Sequence, residues 1–354
     1  MFFIQTCAFS IDIDKIKKHI KNTPTSVTKS MPKLSSYLVK PFKNEDEKFA
    51  AIYFWVGKNI RYDVSQIDNG RKYFSTKELV NEALRYKKGV CQHYSELFND
   101  LCRLANLESY VLTGYGKEKG KVMKLAHAWN AIKIDRNWYL IDATWGSGYI
   151  KQGKYKRDFQ LKYFMVKPDT FILDHIPFDP MWQLLDFPKK YDEFNYGTKN
   201  NTEQKKFIYN DSIKNHFKLS EIERKINRIR RIQSNGQRNK LVITELKHER
   251  EYVEIAQKNE EIQKLNTGNY YYNEAVKQLN QFYDLKQKKN KGKNISNSKL
   301  ISELNSIEKK VALAKKNYNQ IKSTDPQLLK KKREVNAMIK KFEKIIKQQK
   351  GYLE

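Results

Sequence analysis

The spacing of apolar residues divides the chain into segments of different kinds. Between residues 92 and 104, apolar residues recur at intervals of three or four, which is the spacing of an amphipathic helix. Residues 126–134 and 137–144 are instead rich in aromatic and β-branched residues and flank a turn at Asp135-Arg136. The pattern predicts a helix followed by a β-hairpin.

From about residue 202 onward, narrow apolar stripes alternate with charged residues. The stripes include Ile222, Ile226 and Ile229 and, later, Leu300, Leu304, Ile307, Val311 and Leu313-Ala314. Turn formers predict breaks near residues 234–236, 266–269, 291–297 and 323–326. Because no heptad persists over three repeats within one helix, the pattern favours a helical bundle over a long two-stranded coiled coil.

Composition supports the same division. All five Trp residues lie before residue 188, and none follows residue 202. We predict an α+β fold, with a helix packed on an antiparallel sheet, followed by an all-α bundle or coiled-coil region. The predicted parts are an N-terminal segment (residues 1–40), a core domain (41–190), a linker (191–201) and a basic helical region (202–354).

Three segments hold the candidate chemistry, and they follow one another in the order Cys91, His127, Asp142. A thiol nucleophile needs a base to accept its proton and a third group to orient that base. Gly89 permits a tight turn that would place Cys91 in the first turn of the predicted helix, where backbone N–H groups favour an anion. Across a two-residue loop, Asp142 becomes the diagonal neighbour of His127 on one face of the hairpin.

The segments around these residues, 89–95, 127–130 and 142–146, resemble the transglutaminase-like superfamily, whose core is a papain-like cysteine-enzyme fold. Residues 53–63 are similar to the helix and tyrosine-aspartate pair that precede the cysteine in that superfamily. Further stretches resemble its kyphoscoliosis-peptidase branch, namely residues 163–168, 174–177 and 182–185. The resemblance covers roughly residues 45–185.

The resemblance implies a thiol acyl-transfer site with Cys91 as nucleophile, His127 as general base and acid, and Asp142 as orienting carboxylate. Members with these groups form a thioester and either hydrolyse peptide or amide bonds or transfer a glutamine acyl group to an amine. The sequence leaves hydrolase and transferase open. Some members are inactive, so the alternative is a scaffold whose basic helical region engages a protein or an anionic envelope polymer.

Other residues near the motifs have two interpretations. Trp129, Trp145 and His93 are candidate substrate-binding residues, and core packing is the alternative for each. His175 is interpreted as structural, and Gly114-Tyr115-Gly116 as a turn. The cysteines and histidines are too dispersed for a zinc spacing and no phosphate-binding glycine loop occurs, so we expect no metal and no cofactor.

A net charge of +29 and a pI near 9.7 raise the question of a polyanionic partner. Because Lys, Asn, Ile and Tyr are all abundant, an AT-rich genome would produce the same bias without any ligand. The charge forms no single stripe with interleaved aromatic residues, which disfavours nucleic acid; an anionic envelope polymer or a membrane surface fits better. Besides a protein or peptide substrate, we expect the helical region to bind a protein or to self-associate.

The first ten residues bear on localisation. They begin with a short apolar run and contain a small-x-Ala pattern at Thr6 to Ala8, as at the end of a secretory signal, but lack a basic start and a full apolar core. If the start codon has been placed too late, the first half of the signal would be missing from this sequence. Export to the periplasm or the cell exterior is therefore favoured over a cytoplasmic location. No run approaches the roughly 20 apolar residues of a membrane span.

Overall fold

The computed structural model describes residues 11–67, 75–198, 205–236 and 239–353. The chain divides into two compact units, Met1–His248 and Glu249–Glu354. Helices and an antiparallel sheet make up the described part of the first unit, and helices alone make up that of the second, which confirms the predicted fold class. The segment interpreted as a signal remnant, residues 1–10, lies outside the described residues.

Among the described residues, five α-helices form the N-terminal half of the first unit. They are α1 (Ile13–Lys21), α2 (Met31–Val39), α3 (Glu45–Asn59), α4 (Thr76–Tyr86) and α5 (Cys91–Leu104). From Phe49 to Val56, every residue of α3 is fully buried, which explains why this helix has no polar face. The amphipathic helix predicted from residue 92 is confirmed as α5, which packs against α2, α3 and α4 and against the sheet.

In the part of the chain that the structure describes, the sheet has five strands. They are β3 (Ser109–Glu118), β4 (Lys121–Val122), β5 (His127–Ile134), β6 (Asn137–Ile141) and β9 (His175–Pro177), in the order β4-β3-β5-β6 with β9 paired to β3. The described residues also form two smaller pairs, a parallel pair of β1 (Arg61–Tyr62) with β2 (Lys88–Gly89) and a hairpin of β7 (Gly148–Lys151) with β8 (Lys154–Arg157).

The predicted hairpin register is confirmed. Ile134 pairs with Asn137, so the loop between β5 and β6 consists of Asp135 and Arg136 alone. Both loop residues have positive φ, 47° and 70°, as a two-residue turn of type I′ requires. Because β6 ends at Ile141, the next residue, Asp142, leaves the sheet beside the start of β5.

The turn predicted at residues 114–116 is wrong. Gly114 and Gly116 lie within β3, where Gly114 pairs with His127 on one side and Pro177 on the other. A Cβ on Gly114 would lie 2.1 Å from the backbone oxygen of Ile176, a distance that no side chain tolerates. The glycine is therefore present because two strands and a tryptophan approach its backbone closely, and not because the chain turns.

The helices after the sheet pack against it. They are α6 (Pro168–Phe171), α7 (Tyr191–Tyr196), α8 (Tyr209–His216) and α9 (Glu221–Ser234). Ile232, Val242 and Leu246 complete an apolar cluster around Tyr115 and Phe178. The compact units consequently divide after His248, whereas the composition places the start of the helical region at residue 202.

The second unit is built from α10 (Lys240–Asn290), most of which it contains, α11 (Asn297–Asn319) and α12 (Pro326–Gly351). The apolar stripe predicted for α11 is buried, except that Leu313 is exposed while its neighbour Ala314 is packed. The breaks predicted at 234–236, 291–297 and 323–326 agree with the helix ends. No helix in the described residues is both long and apolar enough to cross a membrane.

The break predicted at residues 266–269 is wrong, because these residues lie inside α10. A Cβ on Gly268 would lie 2.3 Å from the ring of Tyr318, whose hydroxyl donates to Asn269 Oδ1 at 2.8 Å. This glycine makes room for a tyrosine of α11 and costs the helix about 1 kcal/mol relative to alanine. The sequence resembles a turn here because the packing of α11 against α10 requires a glycine.

Candidate active site

The segment before α5 sets the position of Cys91. Strand β2 ends at Gly89, and a Cβ there would lie 2.3 Å from the ring of His93. The Val90 N–H donates to His93 Nδ1 at 3.1 Å, which fixes the first turn of α5. Cys91 is a free, partly exposed cysteine at the first helical position. The dipole of α5 therefore favours negative charge at this sulfur.

His127 and Asp142 form a buried hydrogen-bonded pair. The distance between His127 Nε2 and Asp142 Oδ2 is 2.6 Å. The other carboxylate oxygen, Oδ1, accepts from the backbone N–H groups of Thr144 at 2.8 Å and Trp145 at 3.0 Å. The turn that follows β6 thus holds the carboxylate, and the carboxylate in turn holds the imidazole.

Electrostatics favour the charged form of this pair. Burial alone would lower the pKa of His127, but the negative charge of Asp142 and the hydrogen bond to it outweigh burial and raise that pKa well above its ordinary value. Burial likewise opposes ionisation of Asp142, yet the imidazole charge holds the pKa of this carboxyl far below its usual range. Interaction with the Cys91 side chain raises the His127 pKa further.

Cys91 and His127 lie on the wall of one cavity of about 510 Å³. Because Asp142 occupies Nε2 of His127, Nδ1 is the ring nitrogen that remains for the sulfur. Four large apolar side chains on the cavity wall are between 46% and 64% exposed. These are Leu125, Tyr149, Ile150 and Leu173. A cavity with a polar, buried end and an apolar, exposed rim suits an extended chain that carries a reactive carbonyl.

A second histidine contacts the same carboxylate. His175 Nε2 lies 3.1 Å from Asp142 Oδ2, and His175 Nδ1 lies 2.6 Å from Asp174 Oδ1. The ligand atoms of His127, Asp142 and His175 lie within 4.8 Å of one another, so a metal ion must be considered. Two ligands of one tetrahedral zinc would be about 3.3 Å apart at bond lengths of about 2.0–2.1 Å. The observed 2.6 Å between His127 and Asp142 is a hydrogen-bond distance.

The three candidate substrate-binding residues lie in different parts of the domain. Trp145 lines the cavity, with its ring stacked on His127 at 5.3 Å between centroids. Trp129 is buried in the core against Phe171 and His175 and is not on the cavity wall. His93 is also fully buried and belongs to the first turn of α5. Trp129 and His93 thus have packing contacts in the structure, and a role of either in substrate binding stays a prediction.

Two residues of the site were missed by sequence reasoning. Tyr62 lines the cavity, in a strand whose register places it beside Gly89, two residues before Cys91. His175 was interpreted as structural, although it contacts Asp142 directly. The tyrosine-aspartate motif pointed to Tyr62, but only the pairing of β1 with β2 brings it to the cysteine.

The chain is similar to several known proteins. Residues 32–143 match the transglutaminase-like superfamily. Human kyphoscoliosis peptidase is 30% identical over 216 residues, which cover 58% of this chain and 32% of that protein. Hillarin of Drosophila melanogaster is 30% identical over 130 residues, 31% of this chain and 16% of that protein. The crystal structure of a TGase aligns with a TM-score of 0.26 at 18% identity, covering 45% of this chain and 40% of that one.

The matched segment contains Cys91, His127 and Asp142, and it forms a transglutaminase-like domain. Within that superfamily the similarity is to the kyphoscoliosis-peptidase branch, as the sequence motifs predict. This chain spans about a third of the length of the human relative, 32%.

Proposed function

We propose that this protein catalyses thiol-dependent acyl transfer on a protein or peptide substrate. The proposal rests on one observation. Cys91 and His127 lie on the wall of the same cavity, and Asp142 holds Nε2 of His127 by a hydrogen bond. In this arrangement Cys91 is the nucleophile, His127 accepts and returns its proton, and Asp142 keeps the imidazole oriented and stabilises its charge.

The reaction runs in two halves. The Cys91 thiolate attacks the carbonyl carbon of an amide, and the tetrahedral intermediate collapses as the amine leaves with the proton from His127. The enzyme then carries a thioester. In the second half, water or an amine gives its proton to His127 and attacks the thioester, which releases an acid or a new amide and restores the thiolate-imidazolium pair.

The substrate class follows from the cavity and from the relatives. The apolar rim residues offer contact area to side chains that flank the reacting carbonyl. The human and mouse relatives bear the name peptidase, which supports a peptide bond as the acyl donor. Whether water or an amine is the acceptor depends on how well the closed site excludes water.

The proposal is tested by the rate at which iodoacetamide alkylates Cys91 as a function of pH. At pH 5 a thiol with pKa about 8.5 is only about 0.03% thiolate. A Cys91 paired with imidazolium should still react at least about tenfold faster at pH 5 than Cys91 in His127→Ala, even after allowance for the lower nucleophilicity of a low-pKa thiolate. Peptide mass spectrometry resolves the modified cysteine.

Cys102 provides the internal control in that experiment. Its thiol is fully buried, so alkylation of Cys102 reports unfolding of the domain. If Cys91 follows the profile of an ordinary thiol and His127→Ala leaves it unchanged, the pair is not assembled. That result would reject the enzyme and favour the inactive scaffold.

The hydroxyl of Tyr62 is our candidate donor to the oxyanion, together with the backbone N–H groups at the start of α5. Its ring lies 6.5 Å from those of Tyr94 and Tyr155. Burial, followed by the negative charges of Cys91 and Asp142, raises the pKa of Tyr62, which keeps the hydroxyl protonated. Within the described residues, no protein group accepts a hydrogen bond from it. The hydroxyl is therefore free to donate to the substrate.

Replacing Tyr62 with Phe should slow acyl-enzyme formation on the order of 10²-fold, the usual cost of one lost oxyanion donor. The measurement is the release of nitrophenolate from 4-nitrophenyl acetate in the first turnover. Tyr155→Phe is the matched control, because Tyr155 lies on the same cavity wall but donates to Ser147 O at 2.8 Å. Equal rates in the two variants would show that the Tyr62 hydroxyl does not donate to the oxyanion.

A further inference from the structure

The Asp142 carboxylate makes more contacts than a pair with His127 requires. Oδ1 accepts hydrogen bonds from two backbone N–H groups. Oδ2 lies within hydrogen-bond distance of two imidazoles, at 2.6 Å from His127 and 3.1 Å from His175. Asp142 and His175 are both fully buried. His175 therefore contacts the same Asp142 oxygen that orients His127, and through this oxygen it can affect the proposed general base.

His175 lies between two carboxylates. Its two ring nitrogens face the carboxylates of Asp142 and Asp174 at 3.1 and 2.6 Å. The pKa of Asp174 is lowered, because hydrogen bonding and charge from His175 outweigh burial, and that of Asp142 is lowered as well. Ionised carboxylates can only accept, so a ring nitrogen that bears a proton donates to the carboxylate it faces. The ring therefore bridges the two carboxylates.

Packing leaves the His175 ring little freedom. It is stacked on Phe171 at 4.2 Å between centroids and lies 4.3 Å from Trp145. Strand β9 pairs His175 with Gly116, where a Cβ would lie 2.9 Å from Trp145. The glycine lets the indole reach between the strand and the cavity. The ring is thus held in place by two aromatic neighbours and by one carboxylate at each end.

We propose that His175 is a positioning residue of the active site. Anchored by Asp174, it donates a hydrogen bond to the Asp142 oxygen that holds His127, and it thereby keeps that carboxylate in place beside the imidazole. This inference rests on the proposed function, since it assigns His175 a role through the general base.

Several titratable groups surround the ring. Those that face His175 or its anchor are Asp142, Asp174, His127, Tyr163 and Lys162. The centroids of His175 and His127 are 5.7 Å apart. Because both imidazoles contact the same Asp142 oxygen, a change at His175 reaches His127 through that oxygen.

The test is the titration of His127 followed by NMR of protein labelled with ¹³C in its histidine rings. His127→Ala identifies the His127 signal. In His175→Phe the Asp142 oxygen loses its donor, so the His127 midpoint should shift from the wild-type value. In His175→Gln the side-chain amide can still donate to Asp142, so the midpoint should return towards the wild-type value. Equal midpoints in the two variants would overturn the role of this hydrogen bond.

Alkylation of Cys91 at pH 5 tests the hydrogen bond separately. His175→Phe keeps an aromatic ring against Phe171 but cannot donate, so the alkylation rate should fall about tenfold or more, by analogy with the partners of metal-bound histidines. His175→Gln should restore most of that rate. His19→Gln is the matched control, because His19 also stacks on a ring and bonds a backbone oxygen but lies away from the cavity.

The outcomes separate this inference from the proposed function. A wild-type Cys91 that behaves as an ordinary thiol rejects the function itself. A reactive wild-type Cys91 with His175→Gln and His175→Phe both indistinguishable from it, in titration and in alkylation, overturns only the role of His175. Alkylation of Cys102 in any variant shows that the domain has opened, and the titration is then read from His175→Gln or Asp174→Asn, whichever stays closed.

Discussion

Replacing Cys91 with Ala should abolish formation of a covalent acyl-enzyme while leaving the domain folded. The side chain lies partly exposed at the cavity wall, so its removal costs little packing. No other cysteine in the described residues can replace it, because Cys102 is fully buried. Wild-type protein treated with 4-nitrophenyl acetate should carry one acetyl group on Cys91, detected by peptide mass spectrometry, and Cys91→Ala should carry none there.

Cys102→Ala is the matched control for that experiment. This variant should lose some stability, because it leaves a small cavity between α5 and its neighbours, but it should still be acylated on Cys91. Acylation that persists at another site of the domain in Cys91→Ala would mean that the nucleophile has been assigned wrongly. Failure of the folded wild-type protein to acylate would favour the scaffold alternative.

Replacing Asp179 with Ala should lower the free energy of unfolding of the first unit by about 3–5 kcal/mol, as expected when one partner of a buried ion pair is removed. Asp179 accepts from Arg231 through both oxygens, at 2.7 and 2.6 Å, and also from the Met181 N–H at 3.1 Å. Its loss leaves a largely buried guanidinium unpaired and removes the attachment of α9. Urea denaturation followed by tryptophan fluorescence measures the change, because all five Trp residues precede residue 188.

The matched control is Asp186→Ala. Asp186 pairs with Lys206 at 2.9 Å, but both side chains are about half exposed, so the loss should stay below about 1 kcal/mol. Equal effects of the two substitutions would show that α9 contributes little to the stability of the first unit. The helices before residue 248 would then be an appendage, and the composition boundary near residue 202 would be the better domain limit.

The parts of the site that depend on local rules could be predicted from the sequence. The start of α5 at Cys91 followed from helical spacing and a glycine, and the hairpin register followed from a two-residue loop. Both rules act over a few residues, which is why they could be applied without a structure.

The remainder depends on contacts between distant segments. His175 reaches Asp142 because β9 pairs with β3, and Tyr62 reaches the cavity because β1 pairs with β2. Gly114 and Gly268 read as turn formers, yet each makes room for a large side chain from another element. A glycine required for close packing cannot be distinguished from one required for a turn until its neighbours are known.

The two-residue turn at Asp135 and Arg136 has a consequence for engineering this domain. An insertion of one residue there would shift β6 by one position against β5 and turn Asp142 away from His127. The turn is exposed, and by surface criteria alone it would be chosen for a tag or a cross-linking residue. Its length is nevertheless as strictly constrained as the identity of the reacting groups, although neither of its residues touches them.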